Sequence, residues 1–375
     1  MTFTIAKSGC QIYLNNGLLK VCLTARSLST SAKKKVVSSN MIRETRVAGR
    51  KRFYKVAGVI PTLPPWHVGE DINNAVESPI SAGVDGSNSA SGVVHPAPKT
   101  EVDLKRLSTP HFPSASGAID KCDDYVTSRN LDWFGVTLDG RPLRTPAGQS
   151  LTIPSLSLAL AIAAEWDAQA KTINPVQMPL MTLVCTTLDQ TLHNYEGVQL
   201  KSLSFLPNDT TCYMADPTED RVLYKRQQTY WKGLHEFISR QSGGHTPAVA
   251  MGAGEALPLS RYSALKKSSV TGLPHPDPLY EYAEAYVKSL DIWHLTALNS
   301  IANEAKSLMV AMAAVQEFDG LAELQTLVDA GRVEEEFQIS NWGLVEGGHD
   351  YDRLNASIGV GSARVMIDML RHGCS

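Results

Sequence analysis

The most informative stretch of this chain is EEEFQISNWG, residues 334–343. Neighbouring side chains on a helix lie about 100° apart around its axis, so the three glutamates cannot all be buried, and their charges repel one another. Phe337 and Trp342 supply apolar anchors behind them. Gly343 is well placed to end the helix, and Asp350 is placed to cap the next one. The pattern predicts a helical corner that presents an acidic surface on an aromatic base.

Working outward from this corner, helical periodicity fills the chain from residue 219 to its end. Asp291 is placed to cap one long helix, whose buried face runs from Leu298 to Met312. Further helices span residues 321–339 and 350–370. Five helices with short connections predict an all-α orthogonal bundle over residues 219–375.

Strand signals dominate the first half of the chain. Residues 51–60 and 133–138 are rich in β-branched and aromatic side chains. Asp139-Gly140 is a dipeptide typical of a two-residue hairpin turn, and Pro142 restricts the returning segment to an edge. A further short strand covers residues 151–153. These pieces predict a small, mostly antiparallel sheet.

A helix follows this sheet, with Ser155 as its cap. We expect Leu156 and Leu160 on its buried side, together with Ala163 and Ala164. Trp166 is predicted to be structural, an anchor in the core or at a domain junction. With one more strand at residues 210–214, the region completes an α+β domain over residues 44–218, and the fold class is α+β followed by the helical bundle.

Two segments have a composition unlike that of a folded domain. Residues 1–43 contain seven basic and no acidic side chains among many Ser and Thr, which is typical of a mitochondrial transit peptide. Residues 61–128 are rich in Pro, Ser, Gly and Asn, with little periodicity. Such a segment cannot bury enough apolar area to offset its ordering entropy, so we predict a disordered insertion.

Charge and cysteine usage exclude several classes of function. Loss of residues 1–43 lowers the formal net charge from −3 to −10, which disfavours binding to nucleic acid. No apolar run reaches about 18 residues, so no membrane span is expected. The six cysteines form no CxxC pair, which indicates free thiols in a reducing compartment; they are Cys10, Cys22, Cys122, Cys185, Cys212 and Cys374.

The best candidates for chemistry lie at the same helical corner. His349, Asp350 and Asp352 offer one imidazole and two carboxylates, and with Glu334 they leave open a small-molecule hydrolase or a metal-dependent enzyme. No second histidine is nearby, and a capping aspartate beside a surface histidine explains the pattern more simply. Neither a nucleophile elbow nor a phosphate-binding loop is present, so we expect no enzyme, catalytic residue, metal or cofactor.

Several motifs resemble the mitochondrial ATP synthase assembly factor 2 family, the chaperones of the F₁ α subunit. Besides EEEFQISNWG, the similar segments are EGGHDYD (346–352), KRFYKV (51–56), LDGRPLRTP (138–146), ALAIAAEWDAQ (159–169) and LTALNSIANEAKS (295–307). The family makes the connection at residues 61–128 short, so the chain departs from the pattern there. The resemblance implies an assembly chaperone of the mitochondrial matrix, monomeric when free, that shields the α subunit until the β subunit joins.

The resemblance also implies which residues bind the partner. Glu334 is expected to be the residue most needed for function, facing a basic group on the α subunit or on the incoming β subunit. Glu335, Trp342 and Asp350 are secondary candidates for the same partner-binding surface.

Overall fold

A small antiparallel sheet forms the first part of the fold. The computed structural model describes residues 49–65, 107–110, 133–251 and 271–372. Strand β1 (Ala57–Thr62) and edge strand β3 (Arg141–Pro142) both pair antiparallel with β2 (Trp133–Leu138). Asp139 and Gly140 have φ angles of +47° and +80°, as the two-residue turn between β2 and β3 requires. The predicted hairpin and its edge strand are therefore confirmed.

Helix α1 (Leu156–Asp167) packs against this sheet. Ser155 Oγ accepts a hydrogen bond from the backbone N–H of Leu158 at 3.3 Å, which confirms the predicted cap. The predicted buried face is wrong at Leu156 and Leu160, which are exposed, and is confirmed at Ala163. The side chains that α1 buries are Leu158, Ala159, Ile162, Ala163 and Trp166.

The next segment consists of short helical pieces. They are α2 (Pro179–Thr186), a π-helical turn (Thr187–Thr191), α3 (Tyr195–Leu203) and 3₁₀ turns at Leu206–Asn208 and Thr210–Cys212. The strand predicted at residues 210–214 is shorter in the structure, since only β4 (Tyr213–Met214) is extended. It pairs in parallel with β5 (Ala250–Met251), a strand that the sequence did not predict.

The second half of the described chain is helical. Its helices are α4 (Arg221–Gln241), α5 (Asp277–Ser289), α6 (Ile292–Ala305), α7 (Leu308–Val315), α8 (Leu324–Trp342) and α9 (His349–His372). All eight side chains of α7 are buried, as expected for a helix that is apolar on every side. This helix and α6 form the centre of the core.

The long helix predicted after Asp291 is two helices. Asp291 does cap α6, because its Oδ1 accepts from the N–H groups of Trp293 and His294 at 2.8 and 3.0 Å. The helix ends at Lys306, whose φ of +52° is left-handed, and Ser307 then caps α7. Six helices rather than five therefore lie in the described part of residues 219–375.

Part of the predicted insertion packs into the core. Strand β1 continues to Thr62, and the buried indole of Trp293 donates a hydrogen bond of 2.8 Å to the backbone carbonyl of Ser108, which is also buried. The expectation of disorder over residues 61–128 is therefore wrong at residues 61–62 and 107–110. The rest of that segment, apart from residues 63–65, lies outside the described residues.

The remaining predictions about organisation have different outcomes. The leader at residues 1–43 lies outside the described residues. The division into domains at residue 218 stays a prediction, and one hydrophobic core includes side chains from both sides of it. Within the described ranges, none of the helices has the length and apolar character needed to cross a membrane.

Candidate functional site

The candidate site is built on an antiparallel pair of helices, α4 and α8. The buried indole of Trp231 on α4 donates a hydrogen bond of 2.8 Å to the carbonyl of Ala330 on α8. One helical turn away on each helix, Gln227 Nε2 donates to Glu334 Oε1 at 3.0 Å. These two contacts fix the rotation of α8, and they turn Glu334 towards α4.

Gln227 is held in a single orientation by the backbone. Its Oε1 accepts from the N–H of Ala215 at 2.8 Å, and its Nε2 also reaches the carbonyl of Tyr213 at 3.3 Å. The side chain is fully buried. The role of Gln227 could not be predicted from the sequence, because nothing in its local pattern indicates a contact 107 residues away.

Glu334 is half-buried and has no basic partner among the residues that the structure describes. Among the described residues, no Lys or Arg forms an ion pair with it, and its side-chain hydrogen bond comes from the neutral amide of Gln227. Desolvation raises the pKa of Glu334, and the Gln227 hydrogen bond offsets this in part. The carboxylate therefore retains a desolvation cost that a cation would relieve.

The other two glutamates are neutralised within the molecule. Arg332 forms ion pairs with Glu335 at 2.8 Å and with Glu336 at 3.4 Å. Arg353 on α9 donates a further pair of hydrogen bonds to Glu336 and holds its pKa below the ordinary value. The expected acidic surface is therefore wrong at these two positions, because Arg332, just before the triplet on α8, and Arg353, on α9, compensate their charges.

The two aromatic residues of the stretch lie in different environments. Phe337 is partly buried, and the guanidinium of Arg226 lies 5.4 Å from its ring centroid. Arg226 also donates to Ser340 Oγ at 3.2 Å, so this region of α8 is tied to α4. Trp342, in contrast, is 80% exposed. The prediction that both rings act as internal anchors is correct for Phe337 and wrong for Trp342, which faces solvent.

A tight corner connects α8 to α9. Gly343 has a φ of +92° and ends α8, as predicted. The N–H of Val345 donates to His349 Nδ1 at 3.3 Å, and the carbonyl of Val345 accepts from Gly348 and His349. Helix α9 begins at His349, so exposed Asp350 lies in its first turn and is not the cap that was expected. Its negative charge still suits the positive end of the helix dipole.

The geometry around His349 does not form a metal centre. Its Nδ1 is occupied by the N–H of Val345, and Asp350 and Asp352 are exposed on the first turn of α9. In the part of the chain that the structure describes, no group of three or more His, Cys, Asp or Glu side chains is arranged to hold a metal ion.

Trp166 lies in the core and not at this surface. It is 2% exposed, and its ring meets that of Tyr54 edge to face at a centroid distance of 5.7 Å. The hydroxyl of Tyr54 donates to the carbonyl of Trp166 at 2.5 Å. The contacts attach α1 to the segment that precedes β1.

Comparison with known proteins relates the chain to one family. The family model described as ATP12 chaperone protein matches residues 122–239, less than a third of the chain. Over this segment the chain is similar to the ATP12 chaperones. Over 238 residues it is 24% identical to the mitochondrial atp12 protein of Schizosaccharomyces pombe, covering 62% of this chain and 76% of that protein. It is 23% identical over 251 residues to mitochondrial ATP12 of Saccharomyces cerevisiae, with coverages of 59% and 74%.

Solved structures show the same ATP12 architecture. Atp12 from Paracoccus denitrificans is 26% identical with a TM-score of 0.53, covering 64% of this chain and 92% of that one. A protein from Agrobacterium tumefaciens, 23% identical, shares the fold with a TM-score of 0.53 over 68% of this chain and 93% of its own. The resemblance and the α+β fold class predicted from the sequence are confirmed. The ATP12 model match ends at residue 239, before α8 begins.

Proposed function

We propose that this protein is an ATP12-type chaperone, which assembles ATP synthase by binding the free α subunit of the F₁ head and shielding its interface until the β subunit joins. The similarity to ATP12 chaperones carries the proposal. A subunit that has not met its neighbour exposes apolar interface surface, which promotes aggregation or incorrect pairing. A chaperone that covers this surface and is then displaced needs no catalytic step of its own.

We place this activity in the mitochondrial matrix. The curated ATP12 relatives from both yeasts are named mitochondrial. The basic, acid-free composition of residues 1–43 is typical of a matrix-targeting leader. The matrix is also the compartment in which an F₁ head would be assembled.

Glu334 is the proposed centre of client recognition. Its carboxylate is half-buried beside a neutral amide and has no cationic partner among the described residues. A Lys or Arg of the client, arriving at α8, would supply the missing positive charge. The gain from such a pair is larger at a partly desolvated carboxylate than at a fully hydrated one. Glu334 therefore favours a basic group on the partner.

Glu335, Trp342 and Asp350 are proposed to support this contact in different ways. Glu335 is held by Arg332 and contributes orientation more than net charge. Trp342 offers a large exposed ring, and such rings are frequent among the residues that dominate binding energy. Asp350 adds an exposed negative charge at the start of α9, where it would increase the rate of association with a basic partner.

The test is capture of the client by the tagged full-length protein. The wild-type protein should capture free α subunit but not completed ATP synthase, and addition of β subunit should release α. Glu334→Lys should remain folded and lose capture, whereas the matched charge reversal Glu281→Lys, at an exposed position on α5, should capture normally. Equal capture of free α by Glu334→Lys and wild type would refute the assignment of this residue.

A further inference from the structure

The corner between α8 and α9 carries a group of exposed apolar side chains. The exposed fractions of these side chains range from 46% to 80%. Most of these residues are not part of the partner contact proposed above. We name this group the apolar corner surface, and it consists of Trp342, Leu344, Val345, Tyr351 and Leu354. Burying the exposed parts of the two aromatic rings alone would remove on the order of 300 Å² from water. Patches of this size on a soluble protein mark sites of interaction.

The apolar corner surface is fixed by the backbone. Positive φ angles at Gly343 and Gly347 fold the connection back on the start of α9, where Val345 is hydrogen bonded to His349. Tyr351 and Leu354 are three residues apart on α9 and therefore share one face of it. A surface held in this way loses little conformational entropy when a partner covers it.

Charge surrounds this surface unevenly. Exposed acidic side chains border it on the α9 side, at Glu346, Asp350 and Asp352. The arginine next to them, Arg353, is occupied by its ion pair with Glu336. The α9 side therefore has an excess of negative charge.

The first turns of α4 carry charges of both signs, since Asp220 caps this helix and exposed Glu219 precedes it. Helix α4 runs antiparallel to α8, so the first turns of α4 point towards the end of α8 that carries Trp342. Exposed Arg221 and Lys225 lie on those turns. A partner with the complementary arrangement of charges would be oriented as well as bound.

We infer that the apolar corner surface is the docking site for an apolar strip of the client polypeptide that is bordered by Lys or Arg where it faces the start of α9. The inference rests on the proposed function, since a free subunit exposes an apolar interface of this kind. Trp342 follows Glu334 by eight residues, or about 12 Å along the helix. One client surface therefore reaches both the carboxylate of Glu334 and the apolar corner surface.

A second copy of this chain fits the surface less well. A symmetric dimer with its twofold axis at the α9 border would bring the three acidic side chains there close to their own copies, and these would repel one another. A basic client strip meets no such repulsion.

The test measures binding of purified free α subunit to the full-length protein and its variants. The double variant Tyr351→Ala/Leu354→Ala removes two exposed side chains without opening the core, and we expect at least a tenfold loss of affinity. The matched control is Leu156→Ala/Leu160→Ala, an equally exposed pair on α1, expected to bind within twofold of wild type. Ser155, next to that pair, contacts Met369 near the far end of α9, about 22 Å along the helix from Leu354.

A second readout locates the contact directly. In the wild-type protein, α subunit should slow hydrogen exchange of the backbone amides at residues 344–349, and this protection should be lost in the double variant. Circular dichroism should show the same thermal unfolding for both double variants and wild type, because all four side chains are exposed.

The outcomes separate this inference from the proposed function. If wild type binds α and the Tyr351→Ala/Leu354→Ala variant binds it equally well, the docking site is refuted and the client assignment stands. If wild type binds no α, the proposed function fails and the inference fails with it. If the double variant abolishes self-association of wild type while α binding is unchanged, the surface is a contact between copies and the inference is overturned.

Discussion

The buried amide of Gln227 donates a hydrogen bond of 3.0 Å to Oε1 of Glu334, and this contact joins α4 to α8 in the middle of the candidate site. The amide orients the carboxylate but brings no charge to it. Two residues further along, Glu336 has the opposite environment, because Arg332 and Arg353 both contact it. Two glutamates of one triplet therefore have different environments, because one lies beside a neutral amide and the other joins α8 to α9.

Replacement of Gln227 by Leu should weaken the fold at this contact. The N–H of Ala215 and the carboxylate of Glu334 would both lose a partner inside the protein, at a cost of about 1–3 kcal/mol. Urea unfolding monitored by circular dichroism would measure the loss. Gln338→Leu, at an exposed position on α8, is the control and should stay within about 0.5 kcal/mol of wild type. An unchanged unfolding free energy for Gln227→Leu would contradict this account of the helix pair.

Glu334→Gln should separate stability from binding. The substitution keeps an oxygen that accepts from Gln227, and it removes a charge whose burial is unfavourable, so the free protein should be as stable as wild type or more stable. Affinity for free α subunit should fall at least about tenfold, because a neutral amide cannot form the proposed ion pair with the client. Calorimetric titration and urea unfolding of the same preparation measure both quantities. A variant with reduced stability and unchanged affinity would reverse both expectations.

Glu165 makes stability depend on pH in a defined range. Its two carboxylate oxygens each accept a backbone N–H at 2.8 Å, from Leu180 and Met181, and so cap the start of α2. Burial raises its pKa from 4.5 to about 7. Between these values the folded protein holds a proton that the unfolded chain releases. The contribution of Glu165 to the free energy of unfolding is full below pH 4.5 and is lost as pH rises to about 7. This change amounts to about 3 kcal/mol.

Glu165→Gln should remove this pH dependence. Urea unfolding at pH values from 4.5 to 8 would show a smaller fall in stability with rising pH for the variant than for wild type. Glu196→Gln changes an exposed carboxylate on α3 and should leave the wild-type profile intact. Identical profiles for Glu165→Gln and wild type would show that the carboxyl of Glu165 titrates normally.

Trp166→Arg should prevent folding. The indole is 2% exposed and packs on Tyr54, so the substitution removes a large apolar contact and buries a charge in its place. The loss should be at least about 3–5 kcal/mol, enough to unfold a domain of ordinary stability. Leu160→Arg provides the control on the same helix, because that side chain is exposed. Soluble yield and thermal unfolding distinguish the two, and wild-type stability in Trp166→Arg would show that its side chain is not part of the core.

Local features of the chain were determined by the sequence alone. Asp139-Gly140 fixes a hairpin because few other residues adopt two successive positive φ angles, and Ser155 and Asp291 start helices because their oxygens accept the free N–H groups of the first turn. Gly343 ends α8 for a similar reason. Each of these choices depends on atoms within a few residues, so a single sequence suffices to predict it.

Only the tertiary structure decided what each side chain faces. A cap fixes where α1 begins but not its rotation, so the exposure of Leu156 and Leu160 follows from the sheet and helices around them. The break of the predicted long helix at Lys306 depends in part on Asp209, whose carboxylate accepts a hydrogen bond of 3.0 Å from the N–H of Met309, one hundred residues further along the chain. Contacts between distant segments depend on how whole elements pack, and local propensity carries no information about that.

The features of the candidate site can also be divided into those that the sequence determined and those that the tertiary structure decided. The sequence determined that carboxylates and aromatic rings would meet at one helical corner, since they are neighbours in the chain. It did not determine that Arg353 would neutralise Glu336, that Gln227 would hold Glu334, or that Trp342 would face solvent. Those outcomes depend on α4 and α9 packing against α8, because the free energy of a charge or a ring depends on the groups brought next to it by the fold.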